Sequence, residues 1–510
     1  MAGNDGQAAL RTLRSPGGRW VIAATVLGSA MAAIDATVVG IALPTIGREF
    51  HSTFGELQWI VTGYSLSLAA LLLLGGWLGD RYGRRRVFGI GVVWFVAMSV
   101  ACALAPDAPV LIVTRVLQGV GAALLTPGSL AIIQSSFVDD DRGSAIGTWS
   151  GLGGVATAVG PLLGGYLVAA ASWRWIFLIN LPIGAAVLVL SVRHVPESRD
   201  PAISGRPDVV GAVLAVLALG GVTFGLIEGP SIGWSSPVVI AMVALGTLAA
   251  VAFALVERVR SSPMLPLTLF RNTQFSATNA VTFVVYGALG VTLFLLPIDL
   301  QVVGGYSPLE SGVALLPLTV IMLALSARSG RLAHRIGPRL PMSVGPCVVG
   351  VGMALFVRSS GSSSYLTGVL PAVIVLGLGL AATVAPLTAT ALGSVADGHS
   401  GVASAVNNCV ARLGGLLAIA AIPPIAGISP TSYLHPGRFT PGFRHAVLIA
   451  GGLCVLGGLL SAVLIRNPSP EEGPLLHDDT AVAPMPCVNC AVDAAPLVSS
   501  VPSGTVAGNR

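Results

Sequence analysis

Runs of about 20 apolar residues separated by short polar breaks recur along the chain from Trp20 to Ile465, and a helix of that length crosses a hydrocarbon core about 30 Å thick. On that criterion there are about fourteen spans. They are predicted over 20–44, 56–79, 86–105, 109–136, 143–170, 174–192, 208–228, 237–256, 275–303, 311–328, 340–358, 365–391, 401–427 and 443–465. The fold class that follows is an all-α polytopic membrane protein. From Arg466 onward proline, alanine, serine and acids follow one another without periodicity, so 466–510 reads as a disordered tail.

The breaks carry the topology. RYGRRR (81–86), RHVPESRDPAISGR (193–206), ERVR (257–260) and RSGRLAHRIGPR (328–339) alternate with arginine-poor breaks such as APDAP (105–109) and GPSIGWSSP (229–237). The positive-inside rule then places the N-terminal segment 1–19 and the tail in the cytoplasm; arginine without lysine suggests a GC-rich bacterial genome, and the spans are then expected in a bacterial inner membrane. Composition agrees: 54% of the 510 residues are hydrophobic and 10% charged, against about 25% charged in ordinary soluble domains. All 27 basic residues are arginine, and the net charge of +5 reads as orientation bias rather than a nucleic-acid footprint. The start bears Arg11, Arg14 and Arg19 ahead of a span too long for the core of a cleavable signal. Cys487 and Cys490 form a CVNC pair in the tail, two sulfurs where a zinc site needs four ligands, and no metal is expected.

GWLGDRYGRRR (76–86) and GRLAHRIGPRL (330–340) align with Gly, Leu, Arg, Gly and Arg in register, with Asp80 answered by His334. This internal repeat predicts a six-helix half over 20–192, a second over 275–465, and two inserted helices with their flanking loops over 193–274. Repeated halves build alternating access in many transporters, with substrate bound near the midplane between them. The 64 glycines, grouped as in GLGGVATAVGPLLGG (151–165), read first as close helix packing.

These motifs resemble the major facilitator superfamily, and within it the 14-helix drug:proton antiporter family, over nearly all of 20–465. IDATVVGIALP (34–44) is similar to the family's helix-1 signature, with Gly40 where asparagine is usual; QWIVTGY (58–64) is similar to its second-helix opening. GWLGDRYGRRR matches the loop between helices 2 and 3 at Gly76, Asp80, Arg81, Gly83 and Arg84, and LIVTRVLQGVGAA (111–123) the helix-4 pattern at Arg115, Gln118 and Gly119. GPLLGG, with Gly160, Pro161, Gly164 and Gly165, resembles the element of antiporters, although Ala156 replaces a commoner glycine; WRWIFLINLPIG (173–184) completes the set. The resemblance implies export of amphipathic small molecules in exchange for protons, drug or antibiotic resistance, a conformational switch at Asp80 and its arginines, and a hinge at GPLLGG. No cofactor is implied beyond the proton gradient, and no covalent catalysis; no GxxxxGK[ST] sequence supports ATP as the drive.

Asp35 is an acid inside an apolar run, and such residues usually pair, protonate or work. It stands nine residues before Pro44, roughly 13 Å below the outer end of helix 1, and Arg115 roughly 9 Å below the same end of helix 4. The two can meet if helices 1 and 4 are neighbours, as the resemblance implies. Burial disfavours the charged carboxylate and a nearby guanidinium favours it, so relative motion of the pair would load and release a proton. A permanent ion pair that only fixes packing is the plainer alternative.

Glu228 at the outer end of helix 7 and Asp299 after Pro297 are further candidates for proton coupling, since a monovalent cation exchanged for one proton moves no net charge. Thr37, Tyr64, Gln118, Asn279, Phe283, Tyr286 and Arg412 are candidates for the substrate cavity, with packing or capping the first reading for Arg412. A proton-coupled importer on the same fold, and more remotely a membrane-embedded enzyme or sensor, are the rival functions.

Overall fold

The computed structural model describes residues 10–200, 207–260, 263–361, 364–395 and 400–467. The tail pair Cys487 and Cys490, and the disorder expected of that segment, lie outside the described residues. Among the described residues fourteen helices are long and apolar enough to cross a membrane: α1 Pro16–Phe50, α2 Phe54–Tyr82, α3 Arg84–Ala103, α4 Ala108–Ser136, α5 Asp140–Ala170, α6 Trp175–His194, α7 Val209–Ile232, α8 Pro237–Val259, α9 Thr273–Val303, α10 Pro308–Ala333, α11 Arg339–Ser359, α12 Tyr365–Gly393, α13 Val402–Ile425 and α14 Pro436–Leu464. No β-strand occurs among the described residues; Arg11 and Phe137 form an isolated bridge.

The largest departures from the sequence reading are at prolines. α1 was expected to end at Pro44 but continues to Phe50, where His51 turns the chain at φ 51°. Proline stops a helix in water because its missing N–H leaves a carbonyl unpaired, whereas packed membrane helices accommodate it. At the other end Ser15 caps α1, its Oγ accepting from the Gly18 N–H at 3.1 Å. α14 starts at Pro436 rather than 443, with proline in the first turn, where no N–H is needed.

The helices pair in a repeated map. In the first half α1 packs on α5 and α6, α2 on α4, and α3 on α4 and α6. Shifted by eight helices, α9 packs on α13 and α14, α10 on α12, and α11 on α12 and α14. α7 and α8 pair with one another, and α7 also reaches α2 and α13. The halves meet through α2 with α13 and α5 with α10, the same two helices seen from either side of a pseudo-twofold axis.

Among the described residues the halves are joined most extensively at one end of the bundle. Around Phe50 and Phe54 a single apolar cluster draws Val38, Leu43, Ile46 and Leu57 together with Phe294, Leu300, Ile419 and Tyr433. Backbone contacts seal the same end: Gln58 Nε2 donates to the Ile419 carbonyl at 2.5 Å, Gln301 Nε2 to that of Ile41 at 2.9 Å, the Phe54 N–H to that of Pro430 at 2.9 Å, and Tyr433 Oη to that of Ser52. Toward the arginine-rich end the cores are separate clusters, Val21, Phe88, Ile132 and Val187 in one, which Cys409 of α13 joins, and Val281, Met342 and Leu387 in the other. There a stretch of α5 carrying Gly143, Gly147, Gly151 and Gly154 has no neighbour within 4 Å of where a Cβ would stand.

Candidate functional site

Asp35 sits mid-way along α1, fifteen residues from Phe50, or roughly 22 Å from that end. The depth inferred from Pro44 is too shallow because the helix does not stop there. Arg115 is seven residues into α4, roughly 10 Å from its start. The two nevertheless meet, because α1 projects beyond α4 at the sealed end.

Arg115 Nη1 forms an ion pair with Asp35 Oδ2, and both side chains are wholly buried (1% and 0% exposed). The other carboxylate oxygen, Oδ1, accepts from Gln118 Nε2 at 3.0 Å and Asn180 Nδ2 at 3.1 Å. Gln118 follows Arg115 by three residues, the spacing that puts both on one face of a helix. Its Oε1 takes a second bond from Arg115 Nη1 at 2.7 Å. Ser99 on α3 accepts from both amides, at 3.2 Å from Gln118 and 2.9 Å from Asn180, and donates to the Phe177 carbonyl at 3.0 Å. Asn180 Oδ1 has no partner, so that amide serves the carboxylate purely as a donor. Arg115 is completed by the Ile60 carbonyl at 3.2 Å and the face of Tyr64, 4.3 Å from the ring centroid. The site thus holds one negative and one positive charge, dressed by neutral polar groups from α1, α2, α3, α4 and α6, all within the first half.

Sequence reasoning missed Ser99 and the role of Asn180, and placed Gln118 in the substrate cavity, whereas it is bound into this network. Asparagine in LINLPIG was the available signal: an amide inside an apolar run needs partners as an acid does. Tyr64 is 1% exposed and packs on Arg115 rather than lining open space. Thr37 returns its hydroxyl to the Ile34 and Ala33 carbonyls at 2.9 and 3.2 Å and lies against Gly160.

The remaining candidates lie apart. Glu228 accepts from Trp59 Nε1 and Ser231 Oγ, both at 3.0 Å, in a small cleft at the sealed end with Thr53, Gln58 and Pro430. Asp299 opens a π-helical turn and accepts from Ser359 Oγ at 2.9 Å. Asn279 is bonded by Asn407 Nδ2 at 3.1 Å; Phe283 is exposed and Tyr286 half-buried. Arg412 lies in the middle of α13 and caps nothing; its Nε is shut from solvent without a hydrogen-bond partner.

At the arginine-rich end Gly83 makes the α2–α3 turn at φ +116°, a conformation side chains disfavour, and a Cβ there would stand 2.8 Å from the Glu197 carboxylate. Asp80 pairs with Arg84 at 2.7 Å, Arg85 with Glu197 at 3.8 Å, and Arg81 is exposed. Gly76 faces Pro127 of α4. The GPLLGG residues lie at close helix contacts. Gly160 and Gly164 admit Thr37 and Val38 of α1, while a Cβ on Gly165 would meet the Pro308 carbonyl of α10 at 2.5 Å, and one on Gly312 of α10 the Pro161 carbonyl at 2.3 Å.

The family model for the Major Facilitator Superfamily matches residues 25–419. The multidrug resistance protein Stp of Mycobacterium tuberculosis is 37% identical over 421 residues, covering 82% of this chain and 78% of Stp. The methylenomycin A resistance protein of Bacillus subtilis is 36% identical over 86% of this chain and 93% of its own. The puromycin resistance protein pur8 of Streptomyces alboniger is 35% identical over 88% and 91%. Among solved structures, a D-xylose-proton symporter superposes with a TM-score of 0.61 at 16% identity over 88% of this chain and 98% of that one. A bacterial homologue of the lysosomal transporter Spinster, in an inward-facing, unoccupied state, gives 0.58 at 17% over 89% and 100%. With the repeated helix map and the match over most of its length, the chain belongs to the Major Facilitator Superfamily and is a membrane transporter.

Proposed function

We propose that this transporter is a proton-driven antiporter of a bacterial inner membrane that exports amphipathic small molecules and so confers drug or antibiotic resistance. Both termini face the cytoplasm, as the arginine-rich breaks require. The relatives named for resistance, at 35–37% identity over most of both chains, support the direction of transport.

The observation that carries the reading is the buried Asp35–Arg115 pair. Asp35 is the proton carrier. In the conformation described, sealed at the end away from the arginine-rich loops, Arg115 pairs with the carboxylate, the contact a carrier makes after releasing its proton inward. Reloading requires the guanidinium to withdraw, and the Ile60 carbonyl, Gln118 Oε1 and Tyr64 face give it somewhere to stay. The glycines of α5 and Gly312 of α10 let the two halves close to backbone contact, and parting them opens the outer side. The loop at Asp80 and Arg84 is the switch on the inner side. Glu228 and Asp299 stand near the outer seal, positioned for a second proton.

One proton exchanged for a neutral substrate across 100 mV supports a gradient of roughly fiftyfold. The test is efflux from proteoliposomes under an imposed pH gradient. Substrate-dependent proton movement opposite to substrate is the expected result. Parallel movement would mean import, and undiminished pH-driven efflux by a well-inserted Asp35→Asn variant would remove Asp35 as carrier.

A further inference from the structure

We propose that Arg412 is the docking point for an anionic group on the transported molecule, so that the preferred substrates are amphipathic anions. The proposal rests on the reading of the chain as an exporter and adds the charge of what it exports.

Arg412 lies on the face of α13 turned toward the first half. Cys409 and Ile419, on the same stripe of that helix, reach α2: the Cys409 thiol lies 3.7 Å from the Ala69 carbonyl and the Ile419 carbonyl accepts from Gln58. Arg412 falls between them, opposite the stretch of α2 from Gln58 to Ala69, on which Tyr64 directs its hydroxyl at the Ala32 carbonyl of α1, 3.4 Å away. The guanidinium is therefore at the junction of the two halves, where a membrane transporter of this architecture meets its substrate. Its position ten residues into a 24-residue helix puts it roughly 15 Å from one end and roughly 20 Å from the other, beyond the reach of an arginine to a lipid headgroup.

A guanidinium at that depth is kept when something pairs with it, and no residue of this chain does so among those described. The Nε is buried without a partner. The acids that might serve are engaged elsewhere: Asp35 with Arg115, Gln118 and Asn180; Glu228 with Trp59 and Ser231; Asp299 with Ser359; Asp80 with Arg84. The planar fork of arginine donors matches a carboxylate or similar oxyanion in two parallel bonds.

The assignment changes the energetics of export. A monoanion leaving in exchange for one entering proton moves two charges, so the membrane potential acts twice. At 100 mV its share of the gradient rises from about 50-fold for a neutral substrate to about 2,500-fold.

The test uses three pyrene probes of matched bulk: pyrenebutyrate, its methyl ester, and pyrenylmethyl-trimethylammonium. Binding to the purified full chain in nanodiscs is followed by energy transfer from its tryptophans, with inorganic phosphate and acetate as competitors. Pyrenebutyrate is expected to bind most tightly. Arg412→Gln should weaken it by about tenfold or more and leave the ester unchanged, while Arg412→Lys gives an intermediate value and serves if the glutamine variant does not fold. Phosphate and acetate should compete only weakly; full displacement by either would mean a free-anion site and overturn the proposal. So would equal affinity for the three probes, preference for the cation, no saturable binding of pyrenebutyrate, or an Arg412→Gln variant that keeps the wild-type order. Binding needs no proton gradient, so Asp35→Asn should retain the charge preference. Loss of pH-driven efflux without loss of that preference, or the reverse, tells the two readings apart.

Discussion

Replacing Asp35 by asparagine removes one charge from a pair whose side chains are shut off from the surface. Breaking a buried ion pair by deleting one partner costs about 3–5 kcal/mol, since the survivor keeps its desolvation penalty without its counter-charge. Arg115 would retain the Ile60 carbonyl, Gln118 Oε1 and the Tyr64 face, which sets the expected loss near the lower figure, about 3 kcal/mol. Arg115→Met should cost a similar amount by stranding Asp35 among amide donors. The double variant Asp35→Asn/Arg115→Met strands neither charge and is expected within about 2 kcal/mol of wild type, a coupling of about 4 kcal/mol or more against the two single losses. Unfolding in detergent, read by tryptophan fluorescence against denaturant, measures all four proteins. The same Asp35→Asn protein in proteoliposomes should carry substrate down its gradient while failing to respond to an imposed pH difference. A single variant within about 0.5 kcal/mol of wild type, or single losses that simply add, would refute the energetic account.

Gly312→Val and Gly165→Leu each force a side chain onto a facing backbone carbonyl, an overpacking of about 1–3 kcal/mol at the seal, and should speed reaction of an impermeant maleimide with a Ser52→Cys reporter in a background lacking the native cysteines. The seal should not depend on pH between 5 and 9. Burial, with Glu56 nearby, pushes the Tyr433 phenol up to about 12, so its bond to Ser52 is fully present below the ordinary phenol value of about 10 and lost only as pH climbs past the raised one; the reporter's accessibility, after correction for thiol ionisation, checks this. Gln118→Leu removes a donor to Asp35 and an acceptor for Arg115, so it should destabilise by about 2 kcal/mol and alter the pH profile of efflux. Glu228→Gln keeps an acceptor for Trp59; if Glu228 carries a second proton, the variant's efflux of a cationic dye should stop responding to membrane potential while still responding to pH.

The alternation of apolar runs with arginine-bearing breaks was enough to find fourteen helices, because crossing hydrocarbon demands that each span satisfy its own backbone, and a helix does that from local sequence alone. The chain even repeats its packing map by repeating a motif, so that two halves were legible at GWLGDRYGRRR and GRLAHRIGPRL. Helix ends at Pro44 and before Phe443 were misread, since a proline's effect depends on which neighbours cover its freed carbonyl. Asp35 announced itself by its cost in an apolar run. What surrounds it did not: Gln118, Asn180 and Ser99 come from three other helices, and only their packing decides that amides face the carboxylate while Tyr64 faces the guanidinium. GPLLGG reads as a bend along one helix, and that α1 and α10 lie against it is visible only in the packing. Likewise Arg412 is one arginine among 27 in the sequence; whether a charge has a partner is a property of the space around it, which tertiary structure alone defines.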